Sequence, residues 1–289
     1  MATTARAEGQ PPVNSAGRVL ILLDGSRHSL SALEAAGEFA FARNAEVLGI
    51  YVEEVNLLRS AGYGFAQEVG ATSGLARPLD SAALEARMQA LAEQAKRALE
   101  AVMARRGLVQ ALKLCRGRVA EEVLNLVGPG DLLVMGRVGW SGSHGARLGS
   151  TARTLLRQAP GDVLLWAEPG PSSQNRVVVL LNHDQGANHR AVRLGAELAR
   201  RNQQSLTVLV RTETGKDQQV TEDLLQYLQC EGVAAKVRLL PMASAEAVAR
   251  VLREEGAAQL VLSRTCSLFG EQGDDTLLAN LNLPVIVTP

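Results

Sequence analysis

LLVMGRVGWSGSHGARLGSTARTLLRQA, residues 132–159, runs from an apolar stretch into a breaker-free amphipathic one through a glycine-rich connection. LLVM (132–135) is short enough for a buried parallel strand, and TARTLLRQA (151–159) has helical spacing. Between them stand Gly136, two residues, Gly139, nine residues, and then Gly149 followed by Ser150. Glycines at a strand-to-helix junction leave no Cβ between backbone N–H groups and a ligand, and the first free N–H groups of the helix favour an anion. Ser150 adds a hydroxyl donor. The spacing predicts a phosphate cradle; the plainer reading is a glycine-rich surface loop.

Outward from this segment the chain reads as a repeat. RVLILLDGS (18–26) returns as RVVVLLNHD (176–184), each an apolar strand ending in polar turn residues. GLVQALKLCRGRVAEEVL from Gly107 pairs with GVAAKVRLLPMASAEAVA from Gly232, and LLVMGR (132–137) with LVLSR (260–264). TLL at Thr154 returns at Thr276, ahead of the apolar ends DVLLW and PVIVTP. Because the order is the same in both halves, a duplication within one chain explains the matches. The expected division is a disordered tail over 1–17, a first domain over 18–168, a linker over 169–175 (EPGPSSQN spans the join) and a second domain over 176–289.

Within each half, strands alternate with helical patterns. The first half predicts strands near 18–23, 46–52, 109–114, 131–135 and 162–167, and helices near 29–43, 81–106, 118–127 and 150–158. The second predicts strands near 176–182, 205–211, 234–239, 259–263 and 284–288. Five strands with four crossovers make an open, doubly wound α/β sheet, whose ligands bind beyond the carboxyl ends of the strands where the strand order reverses. If the first and fourth strands are neighbours there, Asp24 and the Gly136 loop face one crevice.

Composition bounds the rest. A chain of 289 residues with 46% hydrophobic and 3% aromatic content builds its cores from Leu, Val and Ala. Thirty basic residues balance thirty acidic ones, so there is no general field for nucleic acid or for an anionic membrane. No run of eighteen apolar residues is present, and the first seventeen residues lack the apolar core of a secretory signal. Cys115, Cys230 and Cys266 form no CxxC and no metal-ligand spacing, which reads as reduced thiols of a cytoplasmic protein.

With Asp24-Gly25-Ser26 after the first strand, GRVAEEVL before the fourth and the G-x2-G-x9-G-S loop after it, the chain resembles a tandem universal stress protein. The resemblance implies a five-stranded parallel sheet of order 3-2-1-4-5 in each of two doubly wound domains. It also implies a site of the family's nucleotide-binding branch, which holds ATP through this glycine pattern. Carried over, Asp24 faces the adenosine part, Val52 contacts adenine, and Gly136, Gly139, Gly149, Ser150 and Thr151 surround ribose and phosphates; Met135 and Arg137 complete the implied binding set, Arg137 either clamping phosphate or pointing into solvent. ATP, ADP or AMP is the implied ligand, with Mg²⁺ possible through the phosphates. Leu22 and Arg137 depart from the family's usual Pro and small hydroxyl residue.

The second half departs further. Ser263 and Cys266 replace its first two glycines, Glu271 and Gln272 fall where Gly149 and Ser150 lie, and Asn182 replaces Asp24. A carboxylate at a phosphate seat repels the ligand, so the second half is expected to bind no ATP and to pack on the first as a built-in partner. A homodimer of whole chains and an unidentified protein partner stay open.

Binding is expected rather than catalysis. GxxxxGK[ST] is absent, no Lys lies in the loop, and no second acid is placed beside Asp24 to complete a metal and base set. No catalytic or metal-ligating residue is assigned. The alternatives are a slow ATPase, with His144 as a base, and a nucleotide-free scaffold with a vestigial site. Asp24 has a competing role as a helix cap, and Cys266 one as a redox sensor beside Arg264. GxGxxG is missing after the first strand, against a dinucleotide enzyme. Glu53 to Asp80 is too long for a crossover loop and reads either as a cover over the site or a partner surface, or as a self-packed segment.

Overall fold

The structure, a computed structural model, describes residues 17–70, 73–137, 148–168, 175–181, 185–211, 222, 226, 228–229, 234–240, 244–266, 277–278 and 281–289. Its first half runs β1 (Val19–Leu23), α1 (Arg27–Arg43), β2 (Val47–Glu54), α2 (Val55–Ala61), β3 (Gln67–Val69), β4 (Ala76–Pro78), α3 (Ser81–Ala104), β5 (Gln110–Gly117), α4 (Val119–Leu124), β6 (Leu132–Gly136), α5 (Ser150–Gln158) and β7 (Asp162–Trp166). The second half runs β8 (Arg176–Leu181), α6 (Gln185–Arg201), β9 (Ser205–Arg211), β10 (Ala235–Leu240), α7 (Ala245–Glu254), β11 (Ala257–Ser263) and β12 (Val285–Thr288). Every strand expected from the sequence appears, with ends shifted by at most three residues. Residues 1–16 of the tail, most of the linker and the interior of the glycine loop, including Gly139 and His144, lie outside the described residues.

All ten long strands form one sheet, in the order β10-β9-β8-β11-β12-β7-β6-β1-β2-β5. Read from the outer edge toward the middle, each half has the order 3-2-1-4-5. Pairing is parallel throughout except where the halves meet: β12 runs antiparallel to β7, with Val285 opposite Leu165, Ile286 opposite Leu164 and Val287 opposite Val163. The fifth strands thus protect each other's edge, which would otherwise expose unpaired backbone groups.

The apolar runs of the strands are explained by helices on both faces. Val19, Ile21, Leu23, Leu132, Val134, Val177 and Val179 point into one buried layer with residues of α1, α3 and α6. Leu20, Leu133, Met135, Val178 and Leu180 point into the other, with residues of α4, α5 and α7. Each layer runs through both halves. At the α1 start, the Ser26 hydroxyl accepts from the Ser29 N–H at 3.1 Å; at its end Asn44 takes the left-handed conformation that stops the helix.

Glu53 to Asp80 is not a plain loop. It contains α2 and a β3–β4 hairpin, and Leu57, Leu58 and Ala61 pack on Leu79, Leu84 and Met88. Self-packing accounts for that part, while Tyr63 and Phe65 stack on each other at 5.3 Å on the exposed side.

Asp131 clamps β1 to β6 at the end of the sheet away from the glycine loop. Its carboxylate accepts from the Arg18 N–H at 2.8 Å, the Arg18 guanidinium at 2.8 Å and the Gly128 N–H at 2.9 Å. Burial alone would raise this carboxyl, but the Arg18 and Gly128 donors outweigh it and hold it below its ordinary value. A carboxyl depressed by folding adds stability that is present above its unfolded pKa of about 4 and is lost as pH falls through the lower folded value. Asp131→Asn should therefore lower unfolding free energy in urea at pH 7 by about 1–3 kcal/mol, and the gap from wild type should narrow below pH 4.

Candidate functional site

The order of the first half reverses between β1 and β6, which pair in parallel through Val19–Leu132, Leu20–Leu133 and Ile21–Val134. β1 continues into α1 on one face of the sheet, while β6 leads through the glycine segment to α5 on the other. A crevice opens between the two connections. It holds a cavity of about 370 Å³, within the range of small-molecule sites.

Of the residues singled out by sequence, Asp24, Val52, Met135, Gly136, Arg137, Gly149, Ser150 and Thr151 all line this cavity. Gly139 falls outside the described residues. Segments more than a hundred residues apart in the chain thus meet at one place, as the doubly wound reading requires.

Asp24 does two things at once. Its carboxylate accepts from the Ser26 N–H at 2.9 Å, forming the turn that hands β1 on to α1, and it also lines the cavity. Gly25 makes that turn with φ +75°, and a Cβ there would come within 2.7 Å of Leu91 Cδ2 on α3. α3 therefore closes down on the turn.

Gly149 is different. It caps α5 with an ordinary extended backbone, φ −62° and ψ 153°, and with no side-chain hydrogen bond to the first turn. Among the described residues, a Cβ added there meets nothing within 4 Å. None of the described residues requires glycine at this position, and Gly149 lines the cavity together with Ser150 and Thr151 at the start of α5.

The rest of the wall was not legible in the glycine pattern. α2 contributes Leu57, and α3 contributes Leu84, Arg87, Met88 and Leu91. The signal for these was the helical spacing of Leu84, Met88 and Leu91, which puts them on one face of α3. Tyr51, on β2, fixes that helix: its hydroxyl donates to the Met88 carbonyl at 3.0 Å in a buried hydrogen bond. Burial, together with the charges of Glu53 and Asp24, pushes the Tyr51 phenol up to about 12. Glu54 is a second acid in the cavity wall. Its two oxygens accept from Asn56 N–H at 3.1 Å and Val119 N–H at 3.3 Å, so one carboxylate caps both α2 and α4.

The cavity's cationic side is Arg137 and Arg87. Burial lowers the Arg137 pKa, yet a guanidinium keeps its charge at neutral pH, and a partly desolvated cation favours an anionic ligand. Among the described residues no cluster of three or more His, Cys, Asp or Glu could hold a metal, and no helix is long and apolar enough to cross a membrane.

In the second half Ser263 is buried, and its hydroxyl accepts from the Thr265 N–H at 3.2 Å. Cys266 is 2% exposed, so its thiol is buried in the core. The Arg264 guanidinium is engaged with the first half. Neither supports the redox-sensor reading, which needs an accessible thiolate. Cys115 does not supply one either, since burial and Glu122 raise its pKa. Asn182, Glu271 and Gln272 lie outside the described residues.

The family model described as "Universal stress protein family" matches residues 16–166. Among solved structures, a universal stress protein from Archaeoglobus fulgidus DSM 4304 is similar over 94% of this chain and 96% of its own, with TM-score 0.72 and 16% identity. A second, described as a putative universal stress protein from Pseudomonas aeruginosa UCBPP-PA14, is similar over 95% of this chain and 94% of its own, with TM-score 0.57 and 17% identity. At these identities the likeness is one of fold, and it extends through both halves. No curated protein matches in sequence.

The buried Tyr51 hydroxyl gives a local test of how the cavity wall is held. Tyr51→Phe should lower unfolding free energy by about 1 kcal/mol through the lost hydrogen bond to Met88. In an ultraviolet titration of the folded protein, the same change should remove the phenol that ionises near 12. Because a phenol raised on folding adds stability up to its unfolded value near 10 and loses it through about 12, the difference between variant and wild type should shrink only in that alkaline window.

Proposed function

The chain belongs to the universal stress protein family, and on that premise we propose that it is an adenine-nucleotide-binding regulatory protein with one nucleotide site, in the crevice of its first half. The observation that carries this reading is the space that the described residues leave at Gly149, which gives the first turn of α5 no side-chain cap and lies in a cavity of nucleotide size. Gly149, Ser150, Thr151 and Gly139 would hold the phosphates, with Arg137 beside them. Gly136 and Met135 would face the ribose, Asp24 the adenosine part and Val52 the adenine. The apolar faces of Leu57, Met88 and Leu91 suit a flat base. Mg²⁺ would arrive with the phosphates rather than on a protein ligand set.

Binding rather than turnover fits the chemistry of the wall. Phosphoryl transfer needs a group to orient water and a cation set against developing charge. The two acids present, Asp24 and Glu54, already accept from backbone N–H groups at helix starts. The output is then a change of shape or of partner affinity. In the proposed division, residues 18–168 form the nucleotide-binding domain, and residues 176–289 form a second, degenerate universal stress domain that serves as its built-in partner.

Gly149→Asp separates ligand binding from folding. Aspartate is a favoured N-cap and its backbone fits here, so the melting temperature without ligand should stay level or rise. Its carboxylate would occupy the phosphate seat, and ATP affinity by titration calorimetry should fall at least about 100-fold, or about 2.7 kcal/mol. Retained affinity would refute the assignment. Turnover of ATP above about 1 per second would replace a binding role with a catalytic one.

A further inference from the structure

Arg264 follows β11 in the same place that Arg137 follows β6 in the first half of the repeat. Its guanidinium, however, reaches across the junction of the halves. Nε donates to the Leu156 carbonyl at 2.7 Å and Nη2 donates to the Ala159 carbonyl. Both acceptors stand at the C-terminal end of α5, where a helix leaves its last carbonyls without intrahelical partners. The Ala159 N–H closes back on the Leu155 carbonyl at 2.9 Å, and Arg264 takes two of the others.

The opposite end of the same helix carries Gly149, Ser150 and Thr151 into the cavity. α5 has nine residues and spans about 14 Å. Its Ala152, Leu155 and Leu156 side chains are locked into the core layer beneath it. A rod that short and that well packed transmits a constraint at one end to the other.

We infer that Arg264 is a positioning residue for the nucleotide site: from the second half it fixes the far end of α5, and so sets where the phosphate-facing end stands. The inference rests on the nucleotide reading above. Three physical terms support it. Charged donors make the stronger hydrogen bonds, and two of them here satisfy carbonyls that face protein rather than water. A cation at a helix C-terminus complements the helix dipole. Finally, removing Arg264 would leave those acceptors unpaired at the interface, so the last turn of α5 would have to shift or fray. Burial lowers the Arg264 pKa, partly offset by the charge of Asp162, which marks how deeply the guanidinium is set into the junction. The second half, even with a degenerate cradle of its own, then contributes to the site in the first.

The test compares ATP with adenosine, which lacks phosphates, in calorimetry on full-length wild type, R264M and R264K. R264M keeps the apolar stem and removes the charge and both donors; ATP affinity should fall about tenfold while adenosine affinity changes less than about twofold. R264K keeps the charge but not the planar fork, and should lose about threefold for ATP only. Hydrogen exchange of the ligand-free protein should show faster exchange for the amides of Arg153 to Gln158 in R264M. If R264M fails to fold, R264K carries the comparison. ATP and adenosine weakened alike, or ATP affinity unchanged, would overturn the role of Arg264 and leave the nucleotide site standing. A wild-type chain that binds neither ligand would overturn the nucleotide reading and this inference with it.

Discussion

The parallel pairing of β1 with β6 is the constraint on which the rest depends. It is the point where the strand order of the first half reverses, so the connections leaving the two strands depart to opposite faces of the sheet. At one end the pair is clamped by Asp131, whose carboxylate gathers Arg18 and Gly128 donors. At the other end the two connections part, and the cavity forms there. Asp24 and Gly136 come together because β1 and β6 do.

What the sequence discloses well is whatever has a local period or a local punctuation mark. Apolar runs marked the strands, and the DGS turn and the glycine spacing marked the two ends of the crevice. What it does not disclose is which distant surfaces meet. Nothing in the spelling of TLLRQAP and SRTC says that Arg264 sits on the end of α5, nor that DVLLW and VIVT pair antiparallel to join the halves. Glu54 looks like an exposed strand-end acid, and only the folded chain shows it capping two helices. The long stretch after β2 was marked by its length alone; its Leu57 lines the cavity together with Leu84, Met88 and Leu91 of the helix that follows, and its aromatic pair Tyr63 and Phe65 faces outward.

The two halves keep one architecture, and the second meets the first through arginines. Arg264 reaches the α5 carbonyls, Arg190 pairs with Asp162 at 2.9 Å, and Arg201 lies over the Phe39 ring at 5.1 Å while donating to the Glu38 carbonyl at 3.2 Å. A planar guanidinium suits each of these tasks better than an ammonium, since it can fork across two carbonyls or lie flat on a ring. The marked preference for Arg over Lys in this chain is in keeping with a junction built this way. Both apolar layers also run unbroken through the two halves, so the second half is part of the body that holds the site.

The central claim is a single nucleotide held in the first-half crevice of each chain. Native mass spectrometry of the intact full-length protein with increasing ATP reads this directly. The account predicts a saturable species carrying one nucleotide per chain. A second equivalent nucleotide, or none at concentrations that saturate ordinary binding sites, would contradict it.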